Sequence, residues 1–564
     1  MVKGILKISQ ISVKFNFNYS VIAFFLTLLF SNVSYLKSES FAVATRHHLA
    51  TDIGMKILED GGNAIDAAVA VAFALAVVNP SAGNLGGGGF MLIHLAETNE
   101  TLTIDYRERA PIKSFEKMFL NDSGKVIKGQ SLNSILASGV PGTVAGMFYA
   151  SEKFGKIPIK SLIEPSIKLA RYGFVLSDFQ SKNLNKYKQK FSKNKDAKKI
   201  FTRPDGFNEG DILVQKNLAN TLERISVNGK DEFYLGNTAK KISNYFQSNG
   251  GFLSLKDLNE YEIRVLKPVC GNYREYKVCS MAPPSSGGIA LIQMLNILEN
   301  INLSKLDHNS EEYIRILIAV MDFAYKDRAM YLGDPEFYEV PQDLLTSKKY
   351  AENIYKLIQE KKVPKKEEVN ILEGEETTHF SILDKWGNAV SNTYTLNTAY
   401  GSGIIPSETG VLMNNEMDDF SLKPGYPNTY GLVGSEANKI EPKKTPLSSM
   451  SPVIVFQDKK PLLITGSPGG STIITSVLQE ILNILDFQMS LEESSNKSRI
   501  HFQHLPDILF HEKLENSLVK SLETNKKLIN RKLGEIHSIL LKGDNLEAFS
   551  DKRRPDGKAN SFQK

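Results

Sequence analysis

Cysteine is scarce in this chain, whose 564 residues include only Cys270 and Cys279. The two flank a short turn within a stretch rich in β-forming residues. A hairpin there would bring the thiols close enough for a disulfide in an oxidising compartment. Two free thiols are the alternative, and the sequence leaves both open. Neither cysteine has the spacing of a metal site, so we predict no cysteine-bound metal.

Several motifs that carry chemistry elsewhere are also absent. The chain has no metal-protease helix motif and no nucleophile-elbow sequence. The glycines at 86–89 are not followed by Lys-Ser or Lys-Thr and lack dinucleotide-binding spacing, which disfavours a nucleotide site. His501 and His504 could be two metal ligands, but no third is evident, so we interpret them as structural or surface histidines. We predict no metal and no cofactor.

An excess of one charge is missing too. The chain has 68 Lys and Arg against 63 Asp and Glu, and the net charge of +5 is spread along it. The lysine-rich runs at 186–199 and 361–366 are interpreted as solvated faces, and no DNA- or RNA-binding motif accompanies them. We therefore expect no nucleic-acid partner. The length and the content of 41% hydrophobic residues fit a globular protein with two or more packing units.

The N-terminal region lacks a hydrophobic run long enough to cross a membrane. Its apolar run, residues 21–30, is roughly half of what a spanning helix requires. Three lysines precede this run and a Ser-Glu-Ser sequence ends at residue 40. The pattern predicts a secretory signal peptide over residues 1–40 and a mature chain that begins near Phe41. An uncleaved anchor is the competing interpretation. A lipid anchor is not expected, because no cysteine follows the run.

Apolar periodicity predicts the main elements of the remaining chain. Residues 47–80 should be helical with a break at 61–63, and the alanine-rich part 64–78 is apolar on all faces and should be buried. Residues 160–265 also look largely helical. Further helices are expected at 289–298, 310–330 and 472–485. Strands are predicted at 90–95, 103–106, 377–383, 389–396, 452–456 and 462–465.

The strands 377–383 and 389–396 should form a hairpin, because the residues between them have turn chemistry. A hairpin symmetric about Trp386 places Thr377 opposite Thr395, with Cβ atoms about 4.5–5.5 Å apart on one face. A bulge would shift this register and separate the two hydroxyls.

Thr377 lacks a base as long as it lies in mid-chain. If the bond between Glu376 and Thr377 is cut, Thr377 gains an α-amine whose reference pKa of about 7.7–8.0 suits a general base. The Lys- and Glu-rich segment 357–376 is interpreted as a linker that can move away after cleavage. We therefore predict a precursor that matures into a large chain, 41–376, and a small catalytic chain, 377–564.

Two clusters suit the two charges of an amino acid. Residues 414–420 place three carboxylates within four positions. A calcium site is the alternative, but the alternating ligand spacing is missing, and the cluster suits an ammonium group. Arg107 with the hydroxyls of Ser448 and Ser449 could hold a carboxylate. The two clamps together describe an α-amino acid.

The loop 466–471 precedes a predicted helix and contains Gly469 and Gly470. Two adjacent glycines at a helix start let an oxyanion lie against backbone N–H groups. A plain strand-to-helix turn is the alternative reading of this motif taken alone.

In this order and spacing, the motifs resemble the γ-glutamyltranspeptidases, most closely the bacterial type. The resemblance implies an α+β fold, the four-layer αββα sandwich of the N-terminal-nucleophile hydrolases, formed by two chains cut autocatalytically before Thr377. The two chains are expected to form a heterodimer. The signal peptide predicts that this heterodimer is secreted into the periplasm without a stable membrane anchor. The resemblance runs from about residue 42 to 557 and rests on segments 61–68, 86–90, 105–107, 110–111, 140–143, 284–288, 331–335, 377–379, 414–420, 446–452 and 466–470.

The resemblance also implies site residues, with Thr377 as the nucleophile and Thr395 as its partner hydroxyl. Glu416 stands where closely related bacterial members often carry Gln, but Glu also occurs there, so the ammonium contact is kept. The other implied groups are an oxyanion hole of Gly469 and Gly470, a carboxylate site of Arg107, Ser448 and Ser449, an amino-group site of Asn397, Glu416 and Asp419, and a lid, Tyr430.

The implied reaction cleaves the γ-glutamyl amide of glutathione and related compounds through an ester on Thr377. Water, an amino acid or a dipeptide then takes the acyl group. One rival is a related amidase with another acyl specificity, such as a cephalosporin-acylase-like enzyme, which the amino-acid clamp argues against. The other is an unprocessed, non-catalytic binding protein, which a two-band pattern on an SDS gel would exclude.

Overall fold

The computed structural model describes residues 40–362, 364, 377–523 and 526–564. Glu376, all of the predicted signal peptide except Ser40, and most of the predicted linker lie outside the described residues. The described part contains β1 Ser40–Thr45, β2 Gly88–Leu95, β3 Glu100–Asp105, β4 Phe174–Val175, β5 Ile212–Leu213, β6 Arg264–Leu266, β7 Val269–Tyr273, β8 Tyr276–Ser280, β9 Thr378–Leu383, β10 Ala389–Thr395, β11 Val453–Gln457, β12 Lys460–Thr465, β13 Ile500–His501, β14 Ile508–His511, β15 Lys527–Asn530, β16 His537–Lys542, β17 Asn545–Ser550 and β18 Lys558–Gln563.

Helices form much of the chain that connects these strands. In the described ranges, none of them combines the length and apolarity that crossing a bilayer requires. They are α1 His48–Glu59, α2 Ala64–Val78, α3 Gln130–Asn133, α4 Thr143–Phe154, α5 Ile159–Tyr172, α6 Asp178–Lys186, α7 Lys188–Phe191, α8 Lys195–Phe201, α9 Lys216–Asn228, α10 Asp231–Tyr234, α11 Asn237–Ser248, α12 Leu255–Asn259, α13 Gly287–Leu298, α14 Glu311–Tyr331, α15 Gln342–Leu345, α16 Lys348–Gln359, α17 Ile473–Leu485, α18 Leu491–Asn496 and α19 Asn516–Glu523.

Two antiparallel sheets form the centre of the fold. The first has the order β18-β1-β9-β10-β2-β3-β6 and the second the order β17-β16-β12-β11-β8-β7. Ala42 and Ala44 of the first sheet share a buried cluster with Ile454 and Ile464 of the second, so the sheets face each other. Helices α1 and α2 pack on the outer face of the first sheet, and α13, α14 and α17 pack on that of the second. This is the predicted αββα layering.

Helix α2 confirms the prediction of a buried, alanine-rich helix, since every one of its residues is buried. Asn63 caps it by accepting hydrogen bonds from the backbone N–H groups of Ile65 and Asp66. The Asp66 carboxylate accepts from the Asn63 N–H in return. This capping box satisfies donors that the helix start would otherwise leave without partners. The Tyr394 hydroxyl donates to the Ala72 carbonyl and fixes α2 against β10.

The predicted register of the β9–β10 hairpin is confirmed. Ser391 pairs with Ser381 and Thr393 pairs with His379, and the pairing continues without a bulge. Both strands are buried between β1 and β2, so their polar side chains need partners within the protein. His379 Nδ1, for example, lies 2.8 Å from Thr393 Oγ1.

Cys270 and Cys279 form a disulfide. They are direct cross-strand neighbours in the antiparallel β7–β8 hairpin, with Cα atoms 4.1 Å apart. The predicted hairpin is present and brings the two cysteines together, so the alternative of two free thiols is wrong.

Candidate active site

Thr377, the residue before β9, lies beside Thr395, the last residue of β10. Thr377 Oγ1 is 3.5 Å from Thr395 Oγ1, and each residue is 3% exposed. Thr395 Oγ1 also accepts from the backbone N–H of Asn397 at 2.9 Å. The strand register alone brings a second hydroxyl to the predicted nucleophile.

The glycine run 86–89, which leads into β2, allows close packing beside Thr395. A Cβ on Gly87 would lie 2.1 Å from the Thr395 carbonyl oxygen, and one on Gly89 would lie 2.4 Å from Tyr394 Cβ. No side chain fits at such distances, so the backbone approaches as closely as glycine permits. The run therefore positions the end of β10.

Arg46 is a residue of this site that sequence reasoning missed. Its Nη1 donates to the Thr377 carbonyl oxygen, and its Nε lies 2.9 Å from Glu535. It follows β1, the strand that pairs with β9. An arginine after a strand is too common a feature to have signalled this contact. The guanidinium fixes the backbone of the predicted nucleophile from its carbonyl side.

The predicted oxyanion loop has a conformation that favours glycine. Gly469 and Gly470 have φ values of 129° and 57°. A 3₁₀ turn, Gly470–Thr472, follows, and α17 begins at Ile473, one residue later than predicted. Gly470 lines the same pocket as Thr377, whereas Gly469 lines a neighbouring cavity beside Arg46.

Tyr430 covers this loop. A Cβ on Gly470 would lie 2.4 Å from the Tyr430 ring, so the ring rests directly on the glycine backbone. The Tyr430 hydroxyl donates to the Asn397 carbonyl at 2.5 Å. The side chain thus bridges the oxyanion loop and the segment that follows β10, the position expected of a lid.

A pocket adjoins Thr377, and Arg107 lines it while being only 1% exposed. Arg107 Nη1 lies 2.5 Å from Glu416 Oε1, and its Nη2 lies 2.6 Å from Asp419 Oδ2. The residue predicted to hold a substrate carboxylate is therefore paired with two residues predicted to hold the ammonium group. Sequence reasoning placed all three in one site but did not foresee this pairing.

Two buried acceptors in this pocket, Asn397 Oδ1 and Glu416 Oε2, have no donor within the described ranges. The Asn397 amide is fixed by its Nδ2, which donates to the Asn415 carbonyl at 2.9 Å. Buried acceptors without donors are costly. A ligand ammonium group would supply donors to both.

Ser448 and Ser449 also line the pocket. Ser448 Oγ accepts from the Met450 N–H at 3.1 Å, and Ser449 Oγ accepts from Arg328 Nη2 at 3.3 Å. Neither hydroxyl donates a hydrogen bond to another part of the chain that the structure describes. Both can therefore donate to a ligand. Arg328, in the last turn of a predicted helix, carried no signal in the sequence.

Burial dominates the electrostatics of the acidic residues. It raises the pKa of Glu416 well above its usual value, and that of Glu108 to about 7, while the Arg107 guanidinium opposes both shifts. Burial also raises the pKa of Asp418 to about 6. Asp418 accepts from the Ser131 hydroxyl and from a backbone N–H and does not line the pocket, so the third carboxylate of the cluster supports the loop.

The two histidines singled out by their spacing are structural. His501 Nδ1 lies 2.8 Å from Thr475 Oγ1, and His504 Nδ1 lies 2.7 Å from Asp322 Oδ1. Both histidines are buried, so the alternative of surface histidines is wrong.

Known proteins match this chain over most of its length. The family described as Gamma-glutamyltranspeptidase matches residues 50–561. The "Glutathione hydrolase proenzyme" of Escherichia coli (strain K12) is 46% identical over 532 residues, which cover 92% of each chain. A crystal structure of Helicobacter pylori gamma-glutamyltranspeptidase is 47% identical, with a TM-score of 0.55, and covers 56% of this chain and 90% of that chain.

A second solved structure extends the comparison of the fold. Cephalosporin acylase from Bacillus halodurans is 22% identical and has a TM-score of 0.80, with coverage of 93% of this chain and 96% of that chain. The two layered sheets and these neighbours define an N-terminal-nucleophile hydrolase fold. Within that class, the chain belongs to the γ-glutamyltranspeptidase family.

Proposed function

We propose that this chain is a γ-glutamyltransferase and glutathione hydrolase that uses Thr377 as its nucleophile. The observation that carries the proposal is one pocket. There the paired hydroxyls of Thr377 and Thr395 adjoin acceptors suited to an ammonium group and hydroxyl donors suited to a carboxylate. An α-amino acid whose side chain ends in an acyl group fits all three features. The match to a glutathione hydrolase proenzyme supports a γ-glutamyl acyl group.

Substrate binding exchanges one set of ion pairs for another. The α-carboxylate of the donor forms an ion pair with Arg107 and accepts hydrogen bonds from the hydroxyls of Ser448 and Ser449. The α-ammonium group then takes the carboxylates of Glu416 and Asp419 together with the Asn397 amide oxygen. Asp419 is part-exposed and the other groups are buried, so the bound amino acid has a defined geometry, and the γ-carbonyl is left at the end of the pocket that Thr377 occupies.

The reaction proceeds through an ester. Thr377 Oγ1 attacks the γ-carbonyl carbon and transfers its proton to the α-amine of the same residue, while Gly469 and Gly470 donate backbone hydrogen bonds to the oxyanion. The C–N bond breaks, and the amine leaves with that proton. Water, or the amino group of an amino acid or dipeptide, then attacks the ester and returns a hydrogen to Thr377.

Maturation uses the same hydroxyl. Thr377 Oγ1 attacks the carbonyl carbon of Glu376, and water hydrolyses the resulting ester, which yields chains 41–376 and 377–564. The β1–β9 and β2–β10 ladders support a stable heterodimer, because each joins a strand of the large chain to a strand of the small chain.

The proposal includes secretion into the periplasm, directed by a signal peptide over residues 1–40. The Cys270–Cys279 disulfide supports an oxidising compartment, because cytosolic thiols are kept reduced.

N-terminal sequencing of the purified protein, together with an assay on γ-glutamyl-p-nitroanilide, tests the proposal. We expect two chains, with Thr377 as the first residue of the smaller one, and release of p-nitroaniline. Thr377→Ala should remain one inactive chain, whereas Thr377→Ser, which keeps a hydroxyl and an α-amine, should still be cleaved. Cleavage of Thr377→Ala would place the nucleophile elsewhere. Activity on a glutaryl amide without activity on the γ-glutamyl amide would favour the acylase.

A further inference from the structure

Arg328, on α14, is a second buried cation in the pocket beside Thr377. It is 5% exposed and lines the same pocket as Arg107. Arg107 has two carboxylate partners at 2.5 and 2.6 Å and a third, Glu108, at 3.9 Å. Arg328, in contrast, has no Asp or Glu oxygen within 4.0 Å among the residues that the structure describes. The pocket therefore contains one guanidinium that is paired internally and one that is not.

The hydrogen bonds of Arg328 go to neutral hydroxyls. Its Nε donates to Ser286 Oγ at 3.0 Å, and its Nη2 donates to Ser449 Oγ at 3.3 Å. Ser286 Oγ in turn donates to the Ser448 carbonyl at 2.6 Å. One guanidinium thus holds both serines of the predicted carboxylate site, Ser449 directly and Ser448 through Ser286.

These bonds leave donors for a ligand. Within the described ranges, Arg328 Nη1 has no hydrogen-bond partner. Ser449 Oγ accepts from Arg328, so its own hydrogen is directed elsewhere and can be donated to a group in the pocket. A buried cation without an opposite charge is costly, and a carboxylate is the group that removes this cost.

We propose that Arg328 is a second cation of the α-carboxylate site, acting through Nη1 and by orienting the Ser449 hydroxyl. The inference rests on the proposed γ-glutamyl specificity and deepens it. Arg328 selects donors that carry an α-carboxylate and takes no part in breaking the amide bond.

The test compares p-nitroanilides that differ in one group. γ-Glutamyl-p-nitroanilide has both charged groups, glutaryl-p-nitroanilide keeps the carboxylate, and 4-aminobutyryl-p-nitroanilide keeps the ammonium group. Arg328→Met should lower kcat/KM for the first two by about 10- to 100-fold, mainly through KM, because a hydrogen-bonded charge is lost. The 4-aminobutyryl compound should react as with the unmodified protein. Arg328→Lys keeps the positive charge, so its kcat/KM for the first two compounds should fall less than that of Arg328→Met.

Arg315→Met is the matched control, because Arg315 lies on the same helix, is 44% exposed and should leave all three rates unchanged. An equal fall in kcat/KM for all three compounds would overturn the inference, because a structural defect lowers activity regardless of the substrate. Inhibition by L-glutamate and by 4-aminobutyrate gives the same comparison without turnover, and equal weakening of both would also overturn it.

If Arg328→Met does not mature into two chains, Arg328→Lys carries the test. A rise in KM confined to carboxylate-bearing compounds supports the inference, and a uniform change contradicts it. Lack of activity of the unmodified protein on γ-glutamyl-p-nitroanilide would instead overturn the proposed function itself.

Discussion

Arg107 joins the two halves of the pocket beside Thr377, because its guanidinium contacts both Glu416 and Asp419. Arg107 is expected to bind the substrate carboxylate, but here it is paired with Glu416 and Asp419, which are expected to bind the substrate ammonium group. A zwitterion must therefore exchange these ion pairs for its own. A substrate with only one of the two charges would leave a buried charge without a partner, which favours α-amino acids over simple acids or amines.

Removing either side of this clamp should weaken binding more than chemistry. We expect Arg107→Ala and Asp419→Ala to raise KM for γ-glutamyl-p-nitroanilide by tenfold or more, because truncating one partner of a buried charge pair typically costs about 2–5 kcal/mol. Glu436→Gln is the control, since it removes a carboxylate that is 64% exposed and does not line the pocket. Steady-state kinetics measure the effect. Unchanged KM in either clamp variant would remove that residue from the site.

Thr395 should assist the nucleophile. Thr395→Val keeps the shape of the side chain but removes the hydroxyl that lies 3.5 Å from Thr377 Oγ1 and accepts from the Asn397 N–H. We expect kcat to fall by up to about tenfold, in the range of one lost hydrogen bond between neutral groups. Precursor cleavage should slow in parallel on a time-course gel. Thr395→Ser should have a kcat close to that of the unmodified protein. Equal rates for Thr395→Val and Thr395→Ser would show that the Thr395 hydroxyl does not assist the nucleophile.

The Cys270–Cys279 bridge should stabilise the second sheet without affecting catalysis. The cysteines are 9 positions apart, and closing so short a loop is worth about 2–3 kcal/mol in the chain-entropy description. Cys270→Ser/Cys279→Ser should therefore unfold at lower denaturant concentration and keep its kcat. Loss of kcat at full folding would show that the hairpin also shapes the site. An unchanged midpoint of denaturant unfolding would mean that strand pairing alone stabilises the β7–β8 hairpin.

Local patterns were sufficient to predict much of this fold. The β9–β10 register followed from a turn and a period-two pattern, because the residues that fix it are neighbours in sequence. Helix α2 was predicted with its bounds, since its apolar composition and its Asn63 cap are both local. The disulfide followed a predicted hairpin but stayed open, because the sequence does not reveal the redox state.

Contacts between distant segments were not predictable in the same way. Arg46 and Arg328 reach the site only through sheet pairing and helix packing, and neither lies in a motif. The Arg107–Glu416 pair links positions 309 residues apart. The sequence indicated the chemical type of each residue, but tertiary packing determined which charges are paired internally and which face a ligand.

Glu480 should make stability depend on pH. It is 1% exposed on α17 and accepts from the hydroxyls of Ser494 and Ser495. Burial raises the pKa of Glu480 from 4.5 to about 7, although Arg499 opposes the shift. Between these two values the folded chain binds the proton more tightly than the unfolded chain does. Stability should therefore fall as pH rises through that window.

Glu480→Gln removes this ionisation and should flatten the dependence. The full shift corresponds to about 3 kcal/mol, an upper limit because the environment relaxes. Denaturant unfolding at pH 5 and pH 8 measures the effect. We expect the stability of the variant, relative to that of the unmodified protein, to be greater at pH 8 than at pH 5. Glu492→Gln, at a glutamate with a 60% exposed side chain on α18, serves as the control and should leave the dependence intact. Identical pH profiles for Glu480→Gln and the unmodified protein would mean that Glu480 is already ionised at pH 5, because its hydrogen bonds and Arg499 outweigh its burial.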